Sequence, residues 1–140
     1  MKRNNQVILS GDLKLLGIKI LSGLFLVECR LTTDVPALGG HHLLMTDNKL
    51  AREILAFELA ARSLGADPLI ATVHGWLFSA HGQARVIAEQ VHFHVSPDVR
   101  LRAAQAVRSL PEPLTALPAV IPINGAAFKP SELLKDVRFG

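Results

Sequence analysis

Apolar and polar positions divide this chain into stretches of two different periods. From Gln6 to Leu13 a short apolar run, closed by Gly11-Asp12, predicts a strand. Between Leu24 and Thr33 the pattern alternates. Phe25, Val27, Cys29 and Leu31 fall on one face and Leu26, Glu28, Arg30 and Thr32 on the other, so one side is buried and one wet. The breaker-rich stretch Asp34 to Gly40 is a loop, and His41 to Thr46 predicts a third, short strand. From Asn48 the period lengthens: Leu50, Ile54, Phe57, Ala61 and Leu64 draw one apolar stripe along a helix of about four turns. Asp47 or Asn48 can cap its start, and Gly65 can end it in the left-handed conformation.

After Asp67-Pro68 the period returns to two. Ile70, Thr72, His74, Trp76 and Phe78 share one face, and Leu69, Ala71, Val73, Gly75 and Leu77 the other. A turn at Ser79 to Gly82 leads into Gln83 to Val95, where Val91, Phe93 and Val95 alternate with His92 and His94, so a long hairpin is predicted. Ser96-Pro97 ends it. Val99 to Leu110 predicts a short helix carrying Arg100, Arg102 and Arg108. Pro111, Pro113, Pro118, Pro122 and Pro130 then break regular structure. Leu114, Leu117, Val120, Ile121 and Ile123 are too apolar for a free linker. This extension is expected to lie on its own domain or on a neighbouring subunit.

The expected division is therefore a barrel-forming domain over 1–96 and a helix with a proline-rich extension over 97–140. Three strands, a helix and a long hairpin are the element order of a mainly β, five-stranded OB barrel, with its helix between strands three and four. The 140 residues give room for one real core. With 49% hydrophobic residues and a net charge of only +3, disorder throughout is excluded. The single Cys29 rules out a disulfide scaffold or a cysteine-based zinc site and fits a reducing compartment. Lys14, Lys19, Gly17 and Gly23 interrupt the apolar stretch from Leu13 to Val27, so neither a signal peptide nor a membrane span is predicted and a cytoplasmic, nucleoid-associated location is expected.

Sequence detail carries a resemblance. Asn5-Gln-Val-Ile-Leu-Ser-Gly-Asp-Leu13 is similar to the opening strand of bacterial single-stranded DNA-binding proteins, with its Asn-x-Val-x-Leu-x-Gly-x-Leu pattern. Gly65 to Leu77 resembles that family's glycine turn and fourth strand, and Ala84 to Val95 its fifth, so the likeness spans residues 4 to 95. It implies non-catalytic binding of single-stranded DNA in replication, recombination or repair. Small OB barrels leave apolar surface uncovered and a mean hydropathy of +0.31 points the same way, so a homodimer or homotetramer is expected, and no cofactor or metal is. The family's acidic terminal peptide, which recruits replication and repair proteins, has no counterpart in Leu133 to Gly140. Several stacking aromatics are also missing, and His41 and His42 stand where a tryptophan of strand three is expected. A shortened relative, the primosomal OB protein of replication restart, is similar in these respects.

Single-strand binding needs cations along the phosphates and flat side chains against the bases. Trp76 and Phe78, with His74, lie on the predicted outer face of strand four. Lys14 and Lys19 in the first connector, Arg30 on strand two and Arg85 on the hairpin supply the cations, with Glu28 and Glu89 diluting them. A pI near 9.4 permits an acidic partner. Histidines near phosphates become cationic as pH falls, which would strengthen such binding. His92 and His94 have ligand spacing, but no carboxylate or cysteine joins them at a metal-site interval. No P-loop, dinucleotide fingerprint or nucleophile elbow is present, so no catalysis is expected. The rival reading is an OB subunit that has lost most DNA-binding aromatics and binds protein. The 5% of aromatics fits that rival, and Trp76 covered by Leu114 to Ile123 would decide for it.

Overall fold

The computed structural model describes residues 6–21, 24–31, 41–66, 69–80, 83–110, 121–123 and 126–128. Its strands are β1 (Gln6–Leu21), β2 (Leu24–Leu31), β3 (His41–Thr46), β4 (Leu69–Ala80) and β5 (Gln83–Phe93). They close into a barrel in the order β1-β2-β3-β5-β4. Helix α1 (Asn48–Ser63) lies between β3 and β4, and α2 (Pro97–Arg108) follows β5. A closed, mainly β barrel of five strands with this helix position is the OB arrangement.

Closure follows from the length of β1. The predicted strand ended at Leu13, but the observed one runs eight residues further, to Leu21. Residues Gln6 to Leu13 pair antiparallel with β4, and Leu13 to Leu21 pair antiparallel with β2. Lys14 and Lys19 therefore stand in β1 rather than in a connector. The lysine at 14 does not break the strand because alternation sends it outward while Leu13 and Leu15 point into the core. The β1–β2 register shifts between Leu15 and Gly17. At that irregularity the Leu15 N–H donates to Oε2 of Glu58, a fully buried carboxylate reaching in from α1 (3.1 Å).

Inside the barrel Leu9, Leu13, Val27, Leu31, Leu44, Val73 and Val86 are fully buried, as alternation predicts. Leu26 departs from the predicted wet face of β2 and is also buried. On β5 the inward positions are Val86, Ala88, Val91 and Phe93. The change of phase after Ala88 comes from a bulge, since His74 pairs with Gln90 but Gly75 with Ala88, leaving Glu89 as the extra residue. Gly75 is required there: a Cβ on it would lie 2.2 Å from the Ile87 carbonyl oxygen.

Helix α1 starts as predicted, with Asp47 Oδ1 accepting from the Leu50 N–H (2.9 Å). It ends in a Schellman turn: Gly65 has φ +66°, and the Ala66 N–H donates to the Ala61 carbonyl (2.8 Å). The buried face is broader than the predicted stripe. Ala51, Leu55 and Leu59 are buried beside Ile54 and Ala61, whereas Leu50 and Phe57 are half-buried and Leu64 is exposed. The second buried side faces α2, whose Val99, Ala103 and Ala106, with Leu110, join the barrel core. Arg52 donates to the Val107 carbonyl (2.7 Å) and Arg102 to Ser63 Oγ (3.1 Å), which ties the helices antiparallel. Phe57 stacks on Phe93 with 4.2 Å between centroids, and the Arg100 guanidinium lies over Phe57.

Regular structure also returns within the proline-rich stretch, where none was predicted. Ile121–Ile123 (β6) and Ala126–Phe128 (β7) pair antiparallel as a two-stranded ribbon. The predicted resting place of Leu114, Leu117 and Val120 lies outside the described residues.

Two outcomes test this packing. Gly75→Ala forces β4 and β5 apart and is expected to cost about 1–3 kcal/mol in urea unfolding. Burial, then the carboxylates of Glu58 and Glu28, push the Cys29 thiol from its ordinary 9.0 up to about 12. The unfolded thiol thus ionises first, so Cys29 leaves stability unchanged below pH 9 and lowers it progressively between about 9 and 12. Unfolding free energies measured at pH 7 and pH 10.5 should fall more steeply for the wild type than for Cys29→Ala.

Candidate nucleic-acid interface

The outward row of β4 is set by its inward one. With Leu69, Ala71, Val73 and Gly75 buried, Ile70, Thr72, His74, Trp76 and Phe78 must face out. Ile70 is exposed and the other four are half-buried, so the predicted division of faces holds, though Trp76 and Phe78 are less exposed than expected. Register supplies the neighbours. Trp76 lies between Gln6 on β1 and Ile87 on β5, and Phe78 pairs with Arg85. Ile8 is 61% exposed and Ile87 44%, so Trp76 sits in an apolar surface patch.

Further along β4 the surface becomes polar. Thr72 Oγ1 is within 2.9 Å of Ser10 Oγ on β1 and 2.8 Å of His94 Nε2, the residue just past the end of β5. His92 and His94 meet edge to face at 4.7 Å, and His74 pairs with Gln90. Among the described residues no three of histidine, cysteine, aspartate and glutamate come together as a metal site.

The predicted cations divide into two groups. Lys14 and Arg30 are exposed Cα partners across β1 and β2. Lys14 stands eight positions from Gln6, so this pair lies about 25 Å along the strand from Trp76. Arg85 is half-buried at the other end, beside Phe78. Lys19 is the Cα partner of Leu26 on β2, and its side chain lies outside the described residues. Asp12, opposite Ile70, and the exposed Glu89 add negative charge between the groups. The structure thus joins Trp76, Phe78 and Arg85 at one end and Lys14 with Arg30 at the other, with His74 between them.

No family model matches the chain, and no curated protein matches it. Among solved structures, a chain of the S. pombe Stn1–Ten1 complex is similar over 71% of this chain, with 17% identity and a TM-score of 0.35. This chain covers 64% of that one. So loose a superposition bears on neither ligand nor partner, and the fold assignment stands on the closed barrel and its strand order. No helix among the described residues is long and apolar enough to cross a membrane.

Sequence reasoning missed Ile8 and Ile87 as members of this surface. Each lies in a continuous apolar run, Val7-Ile8-Leu9 and Val86-Ile87-Ala88, where strict alternation was the available signal. The two faces separate in stability: Ile8→Ser is expected to change unfolding free energy by less than about 0.5 kcal/mol. Leu9→Ala, one residue along and fully buried, should cost about 2–5 kcal/mol. Chemical denaturation of both variants checks the assignment.

Proposed function

We propose that the protein binds single-stranded DNA without catalysis, along the outer row of β4, as a component of replication, recombination or repair. The observation that supports this reading is three ring side chains at successive outward positions, His74, Trp76 and Phe78, on the open face of an OB barrel. Outward positions recur every ~6.8 Å along a strand. The row from Ile70 to Phe78 therefore offers a track of about 27 Å. Bases stack on the rings, while Arg85 at one end and Lys14 with Arg30 at the other take phosphates. Asp12 and Glu89 keep the potential modest, so affinity is moderate and depends on salt.

A second reading has its own observation. The exposed Ile87 beside Trp76 and Ile8 beside His74 give the patch an apolar rim that a polar ligand does not use. In that reading the face packs against protein, including a second copy in a homodimer or homotetramer, and the barrel serves as a structural subunit.

Trp76 is the only tryptophan, so its fluorescence reports on the site directly. Titration with an unstructured oligo-dT is expected to quench it at low salt and less at moderate salt. Trp76→Ala should weaken binding, followed by mobility shift, by about 1–3 kcal/mol. Lys14→Gln with Arg30→Gln should flatten the salt dependence. Absence of both quenching and mobility shift, with a molecular mass that falls in Ile8→Asp, would decide for the structural reading.

A further inference from the structure

A second surface lies where the barrel seam is incomplete. β3 pairs with β5 only at Leu44–Val86 and Met45–Ile87, because the chain leaves β3 at Thr46 to start α1. β5 continues to Phe93. From Ala88 to His92 it pairs with β4 on one side, and on the other no described strand pairs with it. The unpaired backbone groups of such an edge are a template for another strand. α1 does not close over it: between its first turns and Glu89–His92 runs a groove of about 630 Å³.

The side chains of the groove select what can enter. Val91 and Leu50, both half-buried, supply apolar surface. Asp47, Glu53 and Glu89 bring carboxylates from the helix cap, the helix and the strand, against one ammonium, Lys49. Asp47 caps the Leu50 N–H through Oδ1 (2.9 Å). His74 and His92 complete the charged and titratable lining. Phosphates are disfavoured in such a groove and cations are favoured.

We propose that this groove binds an extended, basic peptide segment of a partner protein, which adds as a strand to the free edge of β5. Main-chain hydrogen bonds to the edge give affinity, and alternate side chains give specificity. Residues pointing inward meet Val91 and Leu50 and are apolar; those pointing along the rim meet Glu53 and Glu89 and are lysine or arginine. The four residues Glu89–His92 span about 13 Å, which matches a segment of four or five residues. The groove borders the β4 row at His74 but does not include Trp76 or Phe78, so Trp76 fluorescence and the 88–92 amides distinguish DNA from peptide binding.

The probe is a capped peptide of alternating lysine and valine, titrated into the full chain and followed by backbone amide shifts. Shifts confined to 88–92 and the first turns of α1 are expected. Glu53→Gln and Glu89→Gln should each weaken binding by about two- to fivefold. A peptide N-methylated on alternate backbone nitrogens, of the set that faces β5, should lose binding altogether, since it keeps charge and apolar surface but lacks the strand donors. Equal binding of the N-methylated peptide would overturn strand addition. No binding of the lysine–valine peptide, or displacement of it by oligo-dT from the same amides, would overturn a peptide as the occupant.

Discussion

One strand serving two neighbours is the constraint on which this barrel depends. β1 pairs with β4 through its first half and with β2 through its second, and Leu13 belongs to both ladders. Just past that point the register breaks, and the Leu15 N–H finds its partner in Glu58 of α1. A buried donor left without an acceptor costs about 1–3 kcal/mol, so this carboxylate secures the strand where the ladder cannot. It also fixes α1 beneath the barrel, and α1 in turn carries α2.

The same constraint shapes the two candidate surfaces. Because β1 and β5 flank β4, the outward row from Ile70 to Phe78 has ordered neighbours on both sides, and its rings are half-buried rather than free. Because β3 is only six residues long, no described strand pairs with the opposite edge of β5 past Ile87, and α1 lines a groove along it. The bulge at Glu89 sits at the meeting point of the two, and His74 on β4 borders both the ring-bearing face and the acidic groove.

Several predicted features match the structure at the level of individual residues. The inward sets Phe25, Val27, Cys29, Leu31 and Leu69, Ala71, Val73 are buried, and the caps at Asp47 and Gly65 are where local chemistry places them. The misses have two causes, one local and one tertiary. Lys14 looked like an interruption, although an outward lysine is compatible with a strand. The single stripe on α1 understated its burial, because the second face is covered by α2, which is remote in sequence, running from Pro97 to Arg108.

What the sequence alone determined is the set of elements and the two faces of each strand, since period and capping are local properties of the chain. It also determined that Trp76 and Phe78 face away from the core. Only the tertiary structure decided where those faces meet. The roughly 25 Å between Trp76 and the Lys14–Arg30 pair, the apolar rim of Ile8 and Ile87, and the β5 edge beside α1 all depend on cross-strand register. Register is fixed by barrel closure, bulges and one buried carboxylate, and none of these leaves a periodic signal along the chain.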